Sequence, residues 1–340
     1  MQRYRMIVDA MGGDQAPRVV VEGSLLALRE VRQRFDIVLV GRKEAVEEEI
    51  RSISGGPPPP GITIVDAPQV IEMNDAPTAA LRAKKGSSIA VGLEMLKQGR
   101  GSAFVSAGNT GAVLAASTLI LGKLPGVSRP TIGAFLPTET GVCLLVDAGA
   151  NVDSKPRHLF EFAVMGSIYF AEMIGVKKPR VGLLSIGEES IKGDERTQQA
   201  HKLLTESNLN FIGNIEGRDI LLGKSDVIVC DGFVGNVVLK FAESVLTVVK
   251  DRIKQVAFRN LFHKASLALA YGALRMAFRS FDYQEYGGVP LLGVKGVSVI
   301  GHGLSSPRAI KNMILKAEEA AEKKIPERIQ SALAELLTSK

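Results

Sequence analysis

The sequence predicts an α/β protein with three layers, αβα, built on a mostly parallel, doubly wound sheet. Three observations predict it. A short apolar run, a tight Gly-rich turn and a helix recur in that order at residues 6–17 (MIVDAMGGDQAP), 103–112, 144–156, 183–194, 227–236 and 297–307. Strand-length and helix-length segments alternate along most of the 340 residues, the pattern of a parallel sheet covered on both faces. With 46% hydrophobic and 23% charged residues, the composition is that of a folded chain with a large core. In such a sheet the turns are expected to gather at one carboxyl edge, where backbone N–H groups and helix N-termini point into a single crevice. That crevice suits an anion, with phosphate the first candidate.

Taken in order, the first turn leads into a helix over residues 19–34, then a strand at 37–40, a helix at 43–53 and a strand at 62–65. Residues 55–61, with four consecutive prolines, read as a stiff exposed loop. The alternation continues with a helix at 79–98, a strand at 103–106, a helix at 112–121, a strand at 141–146 and a helix at 157–173. Strands at 181–185, 211–212, 227–229 and 297–300 follow, with a closing helix from 309 to about 323. Asp14 and Asp153 are expected to be helix N-caps.

Charge and cysteine usage exclude several functions. A formal net charge of +6 suggests an acidic partner: nucleic acid, an anionic membrane surface or an acidic protein. An aromatic content of 5% without Trp leaves little stacking surface, so no nucleic acid is expected. Cys143 and Cys230 lie in apolar runs and read as packed thiols, and four scattered histidines give no zinc pattern. Neither metal nor cofactor is expected. The N-terminus has no h-region and no run of about 20 apolar residues occurs, so a reduced cytoplasmic protein without a membrane span is expected.

Residues 252–281 break the rhythm. They contain no acidic residue, whereas Arg252, Lys254, Arg259, Lys264, Arg275 and Arg279 are basic and stand among Phe258, Leu261, Phe262, Leu269, Met276 and other apolar residues. Such a helix or helical hairpin suits an anionic headgroup layer, a second copy of the chain, or both. Two nucleotide-like motifs do not hold. GRDILLGKS at 217–225 has five residues between its glycines where a P-loop needs four, and a strand follows it. GHGLSS at 301–306 lacks the third glycine of a dinucleotide fingerprint.

VDAMGGDQAP, VSAGNTGA, VDAGAN, LSIGEESIKG, FIGNIEGRDI, DVIVCDGFVGN and DYQEYGGVPLLGV, in this order and spacing, resemble the PlsX family of acyl-[acyl-carrier-protein]:phosphate acyltransferases over nearly the whole chain. The resemblance implies a fold like isopropylmalate dehydrogenases and phosphotransacetylases, in one α/β unit over 1–340 with a helical protrusion at 240–285 for dimer and membrane contact. It implies a homodimer, cytoplasmic and peripherally membrane-associated, in phospholipid biosynthesis. The enzyme would move a fatty acyl group from acyl carrier protein to inorganic phosphate, giving acyl phosphate for a membrane-bound glycerol-3-phosphate acyltransferase. Two positions depart from the family pattern: Leu304 where Ser is common, and Asp194 where Asn is common.

The chemistry narrows the candidates. Phosphate attacking a thioester needs a held anion and a stabilised oxyanion, and a thiolate with a pKa of about 8.5 leaves without strong acid help. Neither a Ser-His-Asp set nor a reactive Cys is therefore needed. Gly12, Gly13, Gly108 and Gly111 are expected to offer close-approach backbone, with Asn109, Thr110 and Asn236 as donors. Lys192 is the candidate phosphate-binding cation, against an ion pair with Glu188 or Glu189; His302 is a candidate donor to phosphate or oxyanion, against a structural hydrogen bond that shapes the turn. Asp9, Asp147 and Asp231, each ending a strand, are expected to orient or cap rather than move protons. Basic residues of the 252–279 region, with Arg308 and Lys311, are expected to steer the acidic carrier protein. The alternatives are an acyl-CoA-dependent phosphotransacylase and a noncatalytic lipid-synthesis scaffold.

Overall fold

The computed structural model describes residues 3–31, 34–259, 261–279 and 287–338. Phe281 and residues 282–286 of the DYQEYGG motif lie outside the described residues. Eleven strands form a single sheet among these residues. In chain order they are β1 (Tyr4–Asp9), β2 (Phe35–Gly41), β3 (Ile62–Asp66), β4 (Ala103–Ser106), β5 (Thr131–Thr138), β6 (Gly141–Val146), β7 (Val181–Leu184), β8 (Phe211–Ile215), β9 (Val227–Val229), β10 (Val289–Leu292) and β11 (Val297–Ile300). The helices are α1 (Arg18–Glu30), α2 (Lys43–Ser54), α3 (Pro77–Ala83), α4 (Ser88–Lys97), α5 (Thr110–Ala116), α6 (Pro156–Ile174), α7 (Glu195–Thr205), α8 (Asp219–Leu222), α9 (Gly232–Ala257), α10 (Leu261–Arg279), α11 (Pro307–Glu322) and α12 (Ile325–Thr338).

The strands alternate side chains between two apolar layers, because successive residues of a strand point to opposite faces. Met6, Val8, Val105 and Val146 pack with α1, α6 and α11 on one face, while Ile7, Phe104, Ile132 and Ala134 pack with α3, α4 and α5 on the other. Leu145, Ile228 and Ile220 extend that second layer under α9. Both thiols are buried in it, and burial pushes Cys143 up to about 12 and Cys230 well above the ordinary thiol value, as packed cysteines require.

The strand order is β3-β2-β1-β4-β11-β10-β5-β6-β9-β7-β8. β1 to β4 and β11 run parallel, as do β6 to β9, but β10 is antiparallel to β11 and to β5, and β5 is antiparallel to β6. Three reversals turn the second half of the sheet over. The turns after β1, β4 and β11 therefore point one way along the sheet and those after β6, β7 and β9 the other, which corrects the expectation of one shared carboxyl edge.

Other differences are local. The single helix expected at 79–98 is two, because Ser87 caps a new helix by accepting from Ala90 N at 3.3 Å. Neither Asp14 nor Asp153 is an N-cap: α1 starts after Pro17 and α6 after Lys155, whose N–H donates to His158 Nδ1 at 3.1 Å. After Asp231, α9 runs 26 residues over the second apolar layer and leaves the sheet to meet α10. By length and composition it is apolar enough to cross a membrane, with a mean hydropathy of 1.5 and 11% of that window buried.

Candidate active site

The first constellation is built from the turns after β1, β4 and β11. Asp9 is buried, and burial pushes its carboxyl up against the opposing hydrogen bonds. Ser106 Oγ donates to Asp9 Oδ2 at 2.6 Å and accepts from Gly108 N at 3.0 Å, while Met11 N donates to Asp9 Oδ1 at 3.1 Å. Asp9 thus ties the turns after β1 and β4 together. A Cβ on Gly12 would lie 2.7 Å from Gly108 N, and one on Gly111 would lie 2.7 Å from Pro77, so these glycines let turns approach one another. Gly13 has φ +107, a left-handed conformation that glycine adopts without strain, and its turn is closed by Asp14 N donating to Gly303 O at 2.9 Å. Asn109 is fully committed: Oδ1 accepts from Ala112 N at 3.0 Å, and Nδ2 donates to the carbonyls of Glu72, Met73 and Asp75. Thr110 and His302 are exposed. His302 Nδ1 accepts from Leu304 N at 3.1 Å.

The second constellation is built from the turns after β6, β7 and β9. Asp147 is buried, and its carboxylate accepts from Ile132 N, Gly149 N, Ala150 N, Asn151 N and Asn151 Nδ2 at 2.7 to 3.3 Å. Burial pushes this group up too, and the five donors oppose it. Asp231 caps α9, accepting from Phe233 N at 2.9 Å and Val234 N at 3.1 Å. The second turn of α9 presents Asn236, which lies against Gly149 and forms no side-chain hydrogen bond among the described residues. In the turn after β7, Glu188 is taken by Lys224 at 2.6 Å, and the Lys192 ammonium is exposed without an ion pair among the described residues.

The structure thus brings Lys192, Asn236 and Asp231 to one set of strand ends, and Asp9, Gly12, Gly13, Gly108 to Gly111 and His302 to the other. In the sheet register the last residue of β6, Val146, stands level with Val299, one residue before the end of β11, so the two sets of strand ends lie at the same level of the sheet. Lys311 lies 2.5 Å from Glu30, so its charge is paired. Sequence reasoning missed Arg196, whose Nη2 lies 3.1 Å from Asp231. Among the described residues, no group of three His, Cys, Asp or Glu side chains is placed to hold a metal ion.

Similarity to known proteins agrees with this architecture. Residues 4–328 match the family model described as "Fatty acid synthesis protein". The chain is 47% identical to a phosphate acyltransferase of Pelotomaculum thermopropionicum over 97% of this chain and 95% of that one. It is 48% identical to one of Heliobacterium modesticaldum over 96% of each chain. Among solved structures, a phosphotransacetylase from Streptococcus pyogenes superposes with a TM-score of 0.62 at 16% identity over 94% of each chain. The EutD phosphotransacetylase from Staphylococcus aureus gives 0.61 at 14% identity, again over 94% of each. The two structures share the fold; the sequence relatives carry the activity, an acyltransferase rather than a noncatalytic scaffold. With a family model matching almost end to end and relatives near half identity, the chain belongs to the PlsX family of phosphate acyltransferases.

Proposed function

We propose that the enzyme transfers a fatty acyl group from acyl carrier protein to inorganic phosphate, and that the acyl phosphate feeds phosphatidic acid synthesis through a membrane-bound glycerol-3-phosphate acyltransferase. The observation that carries the site assignment is the Lys192 ammonium sharing one side of the sheet with the Asn236 amide near the start of α9, both without a side-chain partner among the described residues. Lys192 would hold the phosphate dianion, and Asn236 would donate to phosphate or to the oxyanion of the tetrahedral intermediate. A phosphate oxygen forms the new bond to the carbonyl carbon, the C–S bond breaks, and the thiolate leaves and takes a proton from water. The chemistry asks for no covalent enzyme intermediate, in keeping with two buried, protonated thiols. His302, Thr110 and Gly13, in the turns after β11, β4 and β1, would hold the donor with its thioester carbonyl turned toward the phosphate on Lys192 and Asn236. His302 is thereby assigned to thioester binding rather than to the phosphate.

The basic charge of the chain favours carrier protein over acyl-CoA as donor, since steering by complementary charge raises association rates. In a competition with equimolar palmitoyl-acyl carrier protein and palmitoyl-CoA, the carrier-bound substrate should be consumed at least about tenfold faster, with the preference shrinking as salt rises. Equal or reversed preference would favour the acyl-CoA reading.

The hairpin supports a peripheral membrane role. Phe233, Val237, Phe241, Val245 and Val248 form an exposed stripe on α9 at helical spacing, and α10 exposes Leu269, Tyr271 and Met276. The α9 start is built into the sheet edge by Asp231 and the buried Gly232 and Gly235, so the helix lies against a bilayer rather than crossing it. The half of the stripe nearest the sheet fits a second copy in a homodimer; the outer half with α10 fits an anionic headgroup layer. The hairpin leads back toward β10, whose Val289 pairs with Ile300 next to the His302 turn, so docking would hold that turn close to the membrane of a cytoplasmic enzyme. Co-sedimentation with phosphatidylglycerol vesicles should be strong at low salt and lost in a Leu269→Glu, Met276→Glu variant. Undiminished binding by that variant would remove the hairpin from the membrane contact.

A further inference from the structure

Arg196 occupies the second position of α7, where the partial positive charge of a helix N-terminus disfavours a cation. Its guanidinium serves contacts beyond the helix. Nη2 lies 2.9 Å from Asp194 Oδ2 and 3.1 Å from Asp231 Oδ2. Asp194 caps α7, accepting from Thr197 N at 2.8 Å and Thr197 Oγ1 at 2.6 Å, and Asp231 caps α9. One planar cation therefore joins the capping carboxylates of two helices that leave neighbouring strands, β7 and β9.

The consequence concerns what those caps carry. Lys192 stands two residues before Asp194, and Asn236 lies in the first turn and a half of the helix that Asp231 opens. Among the hydrogen bonds and ion pairs of the described residues, Arg196 alone links the turn after β7 to α9. The Asp231 carboxylate is only 7% exposed, so the pair is shielded from the solvent that weakens surface ion pairs. Arg196 Nε and Ser185 Oγ are buried with no hydrogen-bond partner among the described residues, beside a pocket of about 310 Å³ lined by Leu183, Ser185, Asp194, Arg196, Asp231 and Val234.

We propose that Arg196 is a positioning residue of the acyl transfer site, locking Lys192 and Asn236 into one geometry so that both meet the same phosphate. The inference rests on the reading above that Lys192 and Asn236 engage phosphate. Lysine at 196 keeps the charge but cannot span two carboxylates in a fixed plane, and glutamine keeps two donors without charge. The test measures kcat, the KM for phosphate, the KM for palmitoyl-acyl carrier protein and the melting temperature of Arg196→Lys and Arg196→Gln, alone and combined with Lys192→Met. Each single variant at Arg196 should raise the KM for phosphate about tenfold with an unchanged KM for the acyl donor. In the Lys192→Met background the same change should have a much smaller effect, the remainder acting through Asn236, because Arg196 and Lys192 act largely as a unit. Lowered melting temperature with unchanged kinetic constants, or additive effects in the double variants, would overturn the proposal. A Lys192→Met enzyme with normal phosphate kinetics would instead overturn the phosphate-site reading, and with it the positioning role. A normal Arg196→Lys and Arg196→Gln beside a defective Lys192→Met would overturn the positioning role alone.

Discussion

Replacing Lys192 by methionine should lower kcat/KM for phosphate by about 100- to 1,000-fold, the range seen when one preorganised charge-stabilising donor is removed from a reaction centre. That is about 2.7 to 4 kcal/mol of transition-state stabilisation, at 1.36 kcal/mol for each tenfold. The physical basis is the isolation of the ammonium. Lys224 takes Glu188, Arg196 takes Asp194 and Asp231, and Lys192 forms no ion pair among the described residues. Because the side chain is exposed and unpaired, methionine should leave the melting temperature nearly unchanged. His302→Ala should behave differently, raising the KM for the acyl donor and leaving the KM for phosphate in place. Loss of phosphate affinity in His302→Ala with a normal Lys192→Met would exchange the roles of the two sets of turns.

The second large effect is structural. Alanine at Gly235 would put its Cβ 1.8 Å from the carbonyl oxygen of Asp147 and 3.1 Å from Cys230 Sγ. The obstacle is backbone, held in place by Asp147 N donating to Cys230 O at 3.0 Å and by the five donors on the Asp147 carboxylate. Neither the turn nor the helix can yield without losing hydrogen bonds, so Gly235→Ala should cost about 3 kcal/mol or more, read as a lower urea midpoint. Surviving folded enzyme should also have a depressed kcat, because Asn236 moves with the helix. A Cβ added at Gly272 in α10 would meet no atom within 4 Å, so Gly272→Ala is the matched control and should be neutral or stabilising by up to about 1 kcal/mol. Equal stability of the two variants would contradict the close approach of α9 to the Asp147 turn.

Much of this was legible in the sequence where an apolar run ends in a Gly-rich turn. β4, β6, β9 and β11 match the strands expected at 103–106, 141–146, 227–229 and 297–300. The two strands that escaped notice, β5 and β10, carry Pro137 and Pro290, and proline argues against a central strand because it cannot donate to the ladder. Those same strands make the reversals, so missing them produced one carboxyl edge in place of two opposed sets of turns. α7 was hidden for another reason: only Ala200 and Leu204 are buried, leaving no apolar stripe. Polar residues next to strand ends were visible as candidates, but their roles depended on partners. Asn109 looked like a free donor until the carbonyls of residues 72, 73 and 75 surrounded it, and Arg196 gave no local signal because Asp231 comes from a distant turn.

The central claim is acyl transfer from a carrier-protein thioester to phosphate, and the most direct measurement is the fate of palmitoyl-acyl carrier protein incubated with the purified chain, with and without inorganic phosphate. The account predicts carrier-protein thiol released only when phosphate is present, with one palmitoyl phosphate formed for each thiol. Thiol release without phosphate, yielding free fatty acid, or no release at saturating phosphate, would contradict it.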